Sequence, residues 1–98
     1  MMDKINPKDG FDLIVYPCDY AFKAMCRVGN FSENSLKNEI LKLVLEHIDE
    51  SLVLDIKSKF SKTAKFESIT ITTRISDRKQ LEKIYHTISA SPLVVMTL

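Results

Sequence analysis

The stretch of sequence that decides the fold is Lys65–Ile75, which consists of KFESITITTRI. In its second half, apolar or β-branched residues occupy every second position and polar residues fill most positions between them. The members of the first set are Ile69, Ile71, Thr73 and Ile75. A period of two is typical of a half-buried strand, and β-branched side chains favour strands. The stretch therefore predicts a strand with one face in the core and one face outside it.

The residues just before this stretch predict its hairpin partner. Leu52–Phe60 alternates in the same way and is followed by Ser61–Ala64, a segment suited to a turn. The apolar positions of its alternation are Leu52, Leu54 and Ile56. Because side chains two residues apart share a face, we expect these three to face the same side as the isoleucines of the next strand.

A strand and a helix are predicted further towards the N-terminus. Asp19–Val28 alternates and is stopped by Gly29. Its apolar face consists of Phe22, Ala24, Cys26 and Val28. Ser32 is suited to cap the helix that follows, and Glu33 lies in the first turn, where the helix dipole favours an acid. Apolar residues then recur at helical spacing as far as about Asp49.

The residues after the deciding stretch predict a second helix and a final strand. Ser76 or Asp77 can cap the helix, and Asp77 with Gln80 fits a capping box. Its apolar stripe consists of Leu81, Ile84, Tyr85 and Ile88. Ser89–Pro92 ends the helix, and Leu93–Leu98 is an apolar segment suited to a strand.

The predicted order of elements is β-α-β-β-α-β. Because each βαβ crossover is right-handed, this order predicts a four-stranded antiparallel sheet with both helices on one face. The fold class is α+β, a ferredoxin-like two-layer sandwich. We predict one domain over residues 13–98 and a flexible N-terminal tail over residues 1–12, where polar residues surround Pro7 and Gly10.

The composition limits the classes of function that need to be considered. The 98 residues carry a net charge of +1, so no anionic partner is required by overall charge. No apolar run approaches the roughly 18 residues that span a bilayer, and the N-terminus resembles no signal peptide, so we expect a cytoplasmic protein without membrane contact. Cys18 and Cys26 are expected to be free thiols, and neither a metal nor a cofactor is predicted.

One face of the predicted sheet is left without helices, and strand parity predicts its residues. It combines cations, hydroxyl groups and the apolar side chains of Met25 and Phe66. The candidate binding residues on it are Lys23, Arg27, Lys57, Lys59, Phe66, Ser68 and Thr70. Such a face can bind an anionic partner, or it can be a solvated surface whose lysines discourage aggregation. A register error of one residue would reverse the assignment.

Motifs for chemistry are weak in this sequence. An RNA-recognition module of the same strand order stacks bases on several aromatics, whereas only Phe66 is available here and Ser68 occupies the second position. Cys18 with His47 or His86 is the only candidate nucleophile and base, and spacing does not bring them together. Only two glycines are present, so no glycine-rich phosphate loop exists. We therefore expect no enzyme.

Three segments together resemble the YbeD-like family of small bacterial proteins. Tyr16–Asp19 with Phe22–Met25 resembles the family's FPC…(I/F)KVM opening, and Ser61–Ile71 resembles its S-x-x-G-x-(Y/F)-x-S-(V/I)-x-(V/I) hairpin. Val95–Leu98 resembles its V-x-M-V-L ending. Ala64 stands where the family carries a turn glycine, which usually serves a left-handed backbone.

The resemblance implies a ferredoxin-like domain of unknown function, similar in shape to ACT-type regulatory domains that bind amino acids. Some members are encoded near lipoate-biosynthesis enzymes, which implies a regulatory or adaptor role. We accordingly predict a non-catalytic regulatory or protein-interaction module, with a protein or a small metabolite as partner. The alternative is a nucleic-acid-binding module that uses the same basic face. A homodimer could form through the edge strands or through the open face.

Overall fold

The computed structural model describes residues 14–29 and 35–97. The strands are β1 (Cys18–Arg27), β2 (Val53–Phe60), β3 (Phe66–Ile75) and β4 (Val94–Thr97), and the helices are α1 (Ser35–Leu45) and α2 (Arg78–Ser89). The predicted tail at residues 1–12 and the predicted cap at Ser32 and Glu33 lie outside the described residues. The order of elements is the predicted one.

The four strands form one antiparallel sheet in the order β2-β3-β1-β4. The ferredoxin-like fold is thereby confirmed, with β2 and β4 as the edge strands. The register pairs Phe22 with Ile71 and Ala24 with Ile69 across the two central strands. Because facing residues share a side of the sheet, these pairs place one continuous apolar surface beneath the helices.

The core lies between this surface and the two helices. It is built almost entirely from aliphatic side chains that are 7% exposed or less. The strands contribute Phe22, Ala24, Cys26, Ile69, Ile71 and Ile75, and α1, α2 and the turn after α1 contribute Leu36, Ile40, Val44, Ile48, Leu81, Ile84 and Ile88. The stripes that predicted the helices are therefore the faces that pack on the sheet.

The ends of the helices are formed by local hydrogen bonds. Asp77 caps α2 by accepting a hydrogen bond from the backbone N–H of Gln80 at 2.9 Å. The Gln80 side chain in turn accepts from the N–H of Ser76, so the predicted capping box is present with its return bond one residue early. Regular helix ends at Leu45, sooner than expected, and Asp49 instead caps a short 3₁₀ turn.

The prediction that Leu54 faces the helices was wrong. The pairing of β2 with β3 shifts between Val53 and Asp55, so Leu54 is the extra residue of a bulge and is 51% exposed. Val53 faces the buried Thr73 instead. A bulge changes strand parity by one residue, which is why a simple alternation misplaced this side chain.

The hairpin between β2 and β3 forms at the predicted turn. Its backbone closes through hydrogen bonds from Ala64 to Ser61 and from Ser61 to Phe66, each 2.9 Å long. Ala64 has a φ of +57°, the left-handed conformation for which glycine is better suited. The chain therefore keeps the backbone of a turn glycine although alanine occupies the position.

Candidate functional site

The register of the sheet brings all seven predicted binding residues to one surface, which we call the open face. One row across β2, β3 and β1 consists of Lys57, Thr70 and Lys23. The next row consists of Lys59, Ser68 and Met25, and Met96 of β4 lies opposite Met25. The last row pairs Phe66 with Arg27. Along each strand these residues alternate with those that face the helices, so they lie on the opposite side of the sheet, as predicted.

The charges of the open face are not evenly balanced. Arg74 pairs with Asp19 at 3.1 Å, and Lys57 pairs with Asp55 at 3.7 Å. By contrast, the described part of the chain provides no salt-bridge partner for three further cations. These are Lys23, Arg27 and Lys59. The open face is therefore positive around Ser68 and Phe66, and nearly neutral around Asp19 and Asp55.

An apolar line crosses the positive part of the open face. Phe66 on β3 is diagonal to Met25 on β1, which lies opposite Met96 on β4. Met96 is 49% exposed, whereas Met25 and Phe66 are partly buried. A shallow groove of about 190 Å³ opens at one end of the line. Its lining residues are Met25, Lys59, Phe60, Ser61, Phe66 and Ser68.

Sequence reasoning missed Met96 as a member of this surface. The segment Val94–Thr97 shows no clear alternation, and the β1–β4 pairing is irregular between Met25 and Cys26. Cys26 faces Val94 while Met25 faces Met96, so Val95 is left between the two pairs. The alternation of side chains between the two faces is therefore interrupted along β4. The sequence pattern of this strand could not show which of its residues lies on the open face.

The ring of Phe66 is already in contact with a cation. The guanidinium carbon of Arg27 lies 5.4 Å from the ring centroid, a cation–π distance. One side of the only aromatic ring among the seven predicted binding residues is thus occupied, and Ser68 follows it on the same face. The arrangement supports the ring as a hydrophobic anchor more than as a base-stacking platform.

Cys26 and His47 both make contacts that belong to the packing of the fold. Cys26 is fully buried, as expected of a small core residue, and burial with the nearby Glu67 carboxyl raises the pKa of its thiol to about 11. His47 lies 2.6 Å from the Thr87 hydroxyl, which itself donates to the carbonyl of Lys83. That hydroxyl must accept from His47, so Nε2 carries the proton and the ring joins the turn after α1 to α2.

Among the described residues, no three potential ligands from histidine, cysteine, aspartate and glutamate come together around a common point. Cys18 and Cys26 are both free thiols, as expected. Neither described helix has the length and apolar character needed to cross a bilayer. Glu67, which sequence reasoning did not single out, is 3% exposed on the helix-facing side of the sheet.

Comparison with known proteins places this chain in a family. The model of a family described as "Protein of unknown function (DUF493)" matches residues 12–98, nearly the whole chain. The chain belongs to the DUF493 family. A UPF0250 protein of Janthinobacterium sp. (strain Marseille) is 28% identical to this DUF493 protein over 93 residues, covering 95% of this chain and 96% of the relative. The predicted YbeD-like membership is confirmed.

Further relatives and a solved structure agree with this assignment. A UPF0250 protein of Buchnera aphidicola subsp. Cinara cedri is 29% identical over 86 residues, which cover 88% of the DUF493 chain and 92% of the relative. The solution structure of HP0495 from H. pylori matches with a TM-score of 0.66 at 24% identity, over 87% of this chain and 85% of that one. The likeness to HP0495 shows that the fold is shared.

Proposed function

We propose that this DUF493 protein is a non-catalytic interaction module of the cytoplasm, and that the open face is its docking surface. The observation that carries the proposal is the apolar line of Phe66, Met25 and Met96 among cations that have no acidic partner in the described part of the chain. No described helix packs on this side of the sheet, since the core lies entirely on the other.

The composition of the open face matches that of a protein-binding surface. The cores of protein interfaces are enriched in aromatic residues, methionine and arginine, and they are surrounded by a polar rim. Here Phe66, Met25 and Met96 form the apolar centre, with Arg27 and Lys59 beside it. A face that served only solubility would gain nothing from Met25 at its centre and the half-exposed Met96 on the neighbouring edge strand.

The absence of catalysis is part of the proposal. The buried Cys26 has a raised pKa, so it is a poor nucleophile at neutral pH. His47 is engaged with Thr87 and joins the turn after α1 to α2. Cys18, the candidate nucleophile, is partly buried against the core, and in the described part of the chain no hydrogen bond joins it to His47 or His86. These placements support a binding function over an enzymatic one.

The nucleic-acid alternative uses the same cations and makes a different prediction. Each phosphate that a cation neutralises releases counterions, so binding to RNA would weaken steeply as salt rises. A third candidate is the sensing of a small anionic metabolite. It is favoured by a groove of about 340 Å³ at the end of the sheet, lined by Arg27, Gly29 and Lys65 among others.

The experiment that tests the proposal is an affinity purification with matched variants. The tagged wild-type protein is compared with the double variant Lys23→Glu/Lys59→Glu, and each extract is divided into nuclease-treated and untreated halves. The control is Lys79→Glu/Lys83→Glu, which makes the same change in charge on exposed residues of α2. We expect a stoichiometric protein that survives nuclease, remains with the control and is lost with the open-face variant.

Three other outcomes would contradict this proposal. A protein retained equally by both double variants would place the docking surface elsewhere. Partners that disappear with nuclease would establish the RNA alternative. No protein in any half, together with a thermal shift on addition of small anions, would favour the sensing of a metabolite.

A further inference from the structure

We infer that the occupant of the open face is an amphipathic α-helix with acidic flanks, supplied by a partner protein. The inference rests on the proposed function and names the kind of partner. It depends on the direction of the apolar line, on the positions of the cations beside it and on the charge that a second copy of this chain would bring.

The direction of the apolar line favours a helix over an added strand. From Phe66 to Met96 the line crosses two strand spacings and two residues along the strands. With strands about 4.8 Å apart and a rise of about 3.4 Å per residue, the line is roughly 12 Å long. A helix covers that length in about eight residues, since each residue rises about 1.5 Å. Apolar side chains at i, i+4 and i+7 would then meet the three anchors.

An extended peptide suits this line less well. It would bind along a sheet edge through backbone hydrogen bonds, parallel to the strands. The line instead crosses β3, β1 and β4, three strands that are already paired with one another. The backbone groups of paired strands are already hydrogen-bonded to one another, so they cannot pair with an added strand. The side chains on the face of the sheet can still pack against a helix.

The unpaired cations lie on both sides of the apolar line. Arg27 is two residues from Met25 on one side of it, and Lys23 is two residues from Met25 on the other. Lys59 lies on the same side as Lys23, two strands away from Met25. A helix placed along the line therefore has cations on both of its long sides. Acidic residues on those two sides of the helix would meet opposite charge.

A second copy of this chain is a poorer occupant of the open face. In a twofold dimer the same patch is present on both subunits. Lys23, Lys59 and Arg27 of one subunit would then approach the same three cations of the other. Like charges brought together in an interface cost affinity, so the charge pattern favours an acidic partner of a different sequence.

The two methionines of the line, Met25 and Met96, suit a helix of variable sequence. The unbranched side chain of methionine adapts to different apolar neighbours, and methionine is common on surfaces that bind several helical partners. Met96 is half exposed, and the groove beside Met25 and Phe66 has a volume of about 190 Å³. The groove is large enough to accept a leucine or phenylalanine side chain of the incoming helix.

The test is selection from a random display library of peptides of about 15 residues, roughly four helical turns. The purified full chain is the target, and selection is repeated with Lys23→Glu/Lys59→Glu and with the control Lys79→Glu/Lys83→Glu. We expect the wild type and the control to enrich acidic peptides with apolar residues at i, i+4 and i+7. These peptides should bind the open-face variant about tenfold more weakly or worse.

Several results would overturn the inference. Enriched peptides that are basic, that alternate with a period of two, or that bind both double variants equally would contradict an acidic helix on the open face. Failure to enrich any peptide would also contradict it. If affinity purification still captures a partner that depends on Lys23 and Lys59, the proposed function stands and only the helical occupant is wrong. If the purification fails as well, both are wrong.

Discussion

Ala64 has a backbone conformation for which glycine is better suited. The resemblance indicated a turn glycine at this position, and the backbone adopts the left-handed conformation with alanine in its place. An L-residue in this conformation has its Cβ too close to the following carbonyl oxygen, at a cost of about 1–2 kcal/mol. The position thus stores strain that the pattern of apolar residues could not reveal.

Replacing Ala64 with glycine should stabilise the protein. Relief of the Cβ strain outweighs the extra freedom that glycine gives to the unfolded chain, so we expect the free energy of unfolding to rise by about 0.5 kcal/mol. The matched control is Thr63→Gly, since positive φ in the described residues is confined to Ala64 and Gly29. That variant should lose about 0.5 kcal/mol. Urea unfolding measures both, and a loss with Ala64→Gly would contradict the turn geometry.

Cys26 should contribute to the loss of stability in alkali. Its pKa is raised to about 11 by burial and by the nearby carboxyl of Glu67, whereas a thiol in the unfolded chain titrates near 8.5. A raised pKa means that the folded state favours the protonated thiol. The stabilisation is therefore complete below about pH 8.5 and is lost as the pH rises towards the folded pKa.

The variant Cys26→Ala isolates this contribution. It removes a buried sulfur, so it lowers the free energy of unfolding by a roughly constant amount at neutral pH. Between pH 9 and 11, on the other hand, its stability should decline less steeply than that of the wild type. Urea midpoints across this range measure the two slopes. Equal slopes would contradict the raised pKa of the Cys26 thiol.

The capping box of α2 shows how far sequence determines a single element. Asp77 and Gln80 were predicted from spacing alone, and both side chains make hydrogen bonds at the start of the helix. Substituting Asp77 with alanine should lower the free energy of unfolding by about 1 kcal/mol, because the N–H of Gln80 loses its acceptor. Asp77→Asn keeps an acceptor and should lose much less. Thermal or urea unfolding compares the two, and equal losses would contradict the cap.

Irregular pairing limited the prediction of the edge strands. β3 and α2 follow one period throughout, and their buried faces were predicted correctly from sequence. β2 contains a bulge at Leu54, and β4 is irregular opposite Met25 and Cys26. Bulges depend on pairing between distant segments, which a local period does not report. This is why Leu54 was assigned to the wrong face and Met96 was missed.

At the scale of the whole molecule, the candidate site exists only because the fold assembles it. Lys23 on β1 is far in sequence from Lys59 and Phe66 on the β2–β3 hairpin, and the register of the sheet brings the three together. Parity within each predicted strand was enough to assign all seven candidate residues to one face. Two features could not be predicted in this way, because they depend on which residues face each other across strands. They are the ion pairs of Arg74 and Lys57 and the apolar line that ends at Met96.

Reversing charges on the open face should leave the fold intact. Lys23 and Lys59 are exposed and have no salt-bridge partner in the described part of the chain, so their substitution breaks no salt bridge there. We expect Lys23→Glu/Lys59→Glu to change the free energy of unfolding by about 0.5 kcal/mol or less. Circular dichroism with urea unfolding measures this change. A large loss of stability would mean that these lysines support the fold instead of a partner.

The most direct test of the open face as a docking surface is photo-crosslinking in living cells. A photoreactive amino acid replaces Ser68 at the centre of the face or, as a control, Lys83 on the exposed side of α2. We predict a protein adduct from position 68 that is absent from position 83 and is lost when Lys23→Glu/Lys59→Glu is added. Equal adducts from both positions, or none from position 68, would contradict the central claim.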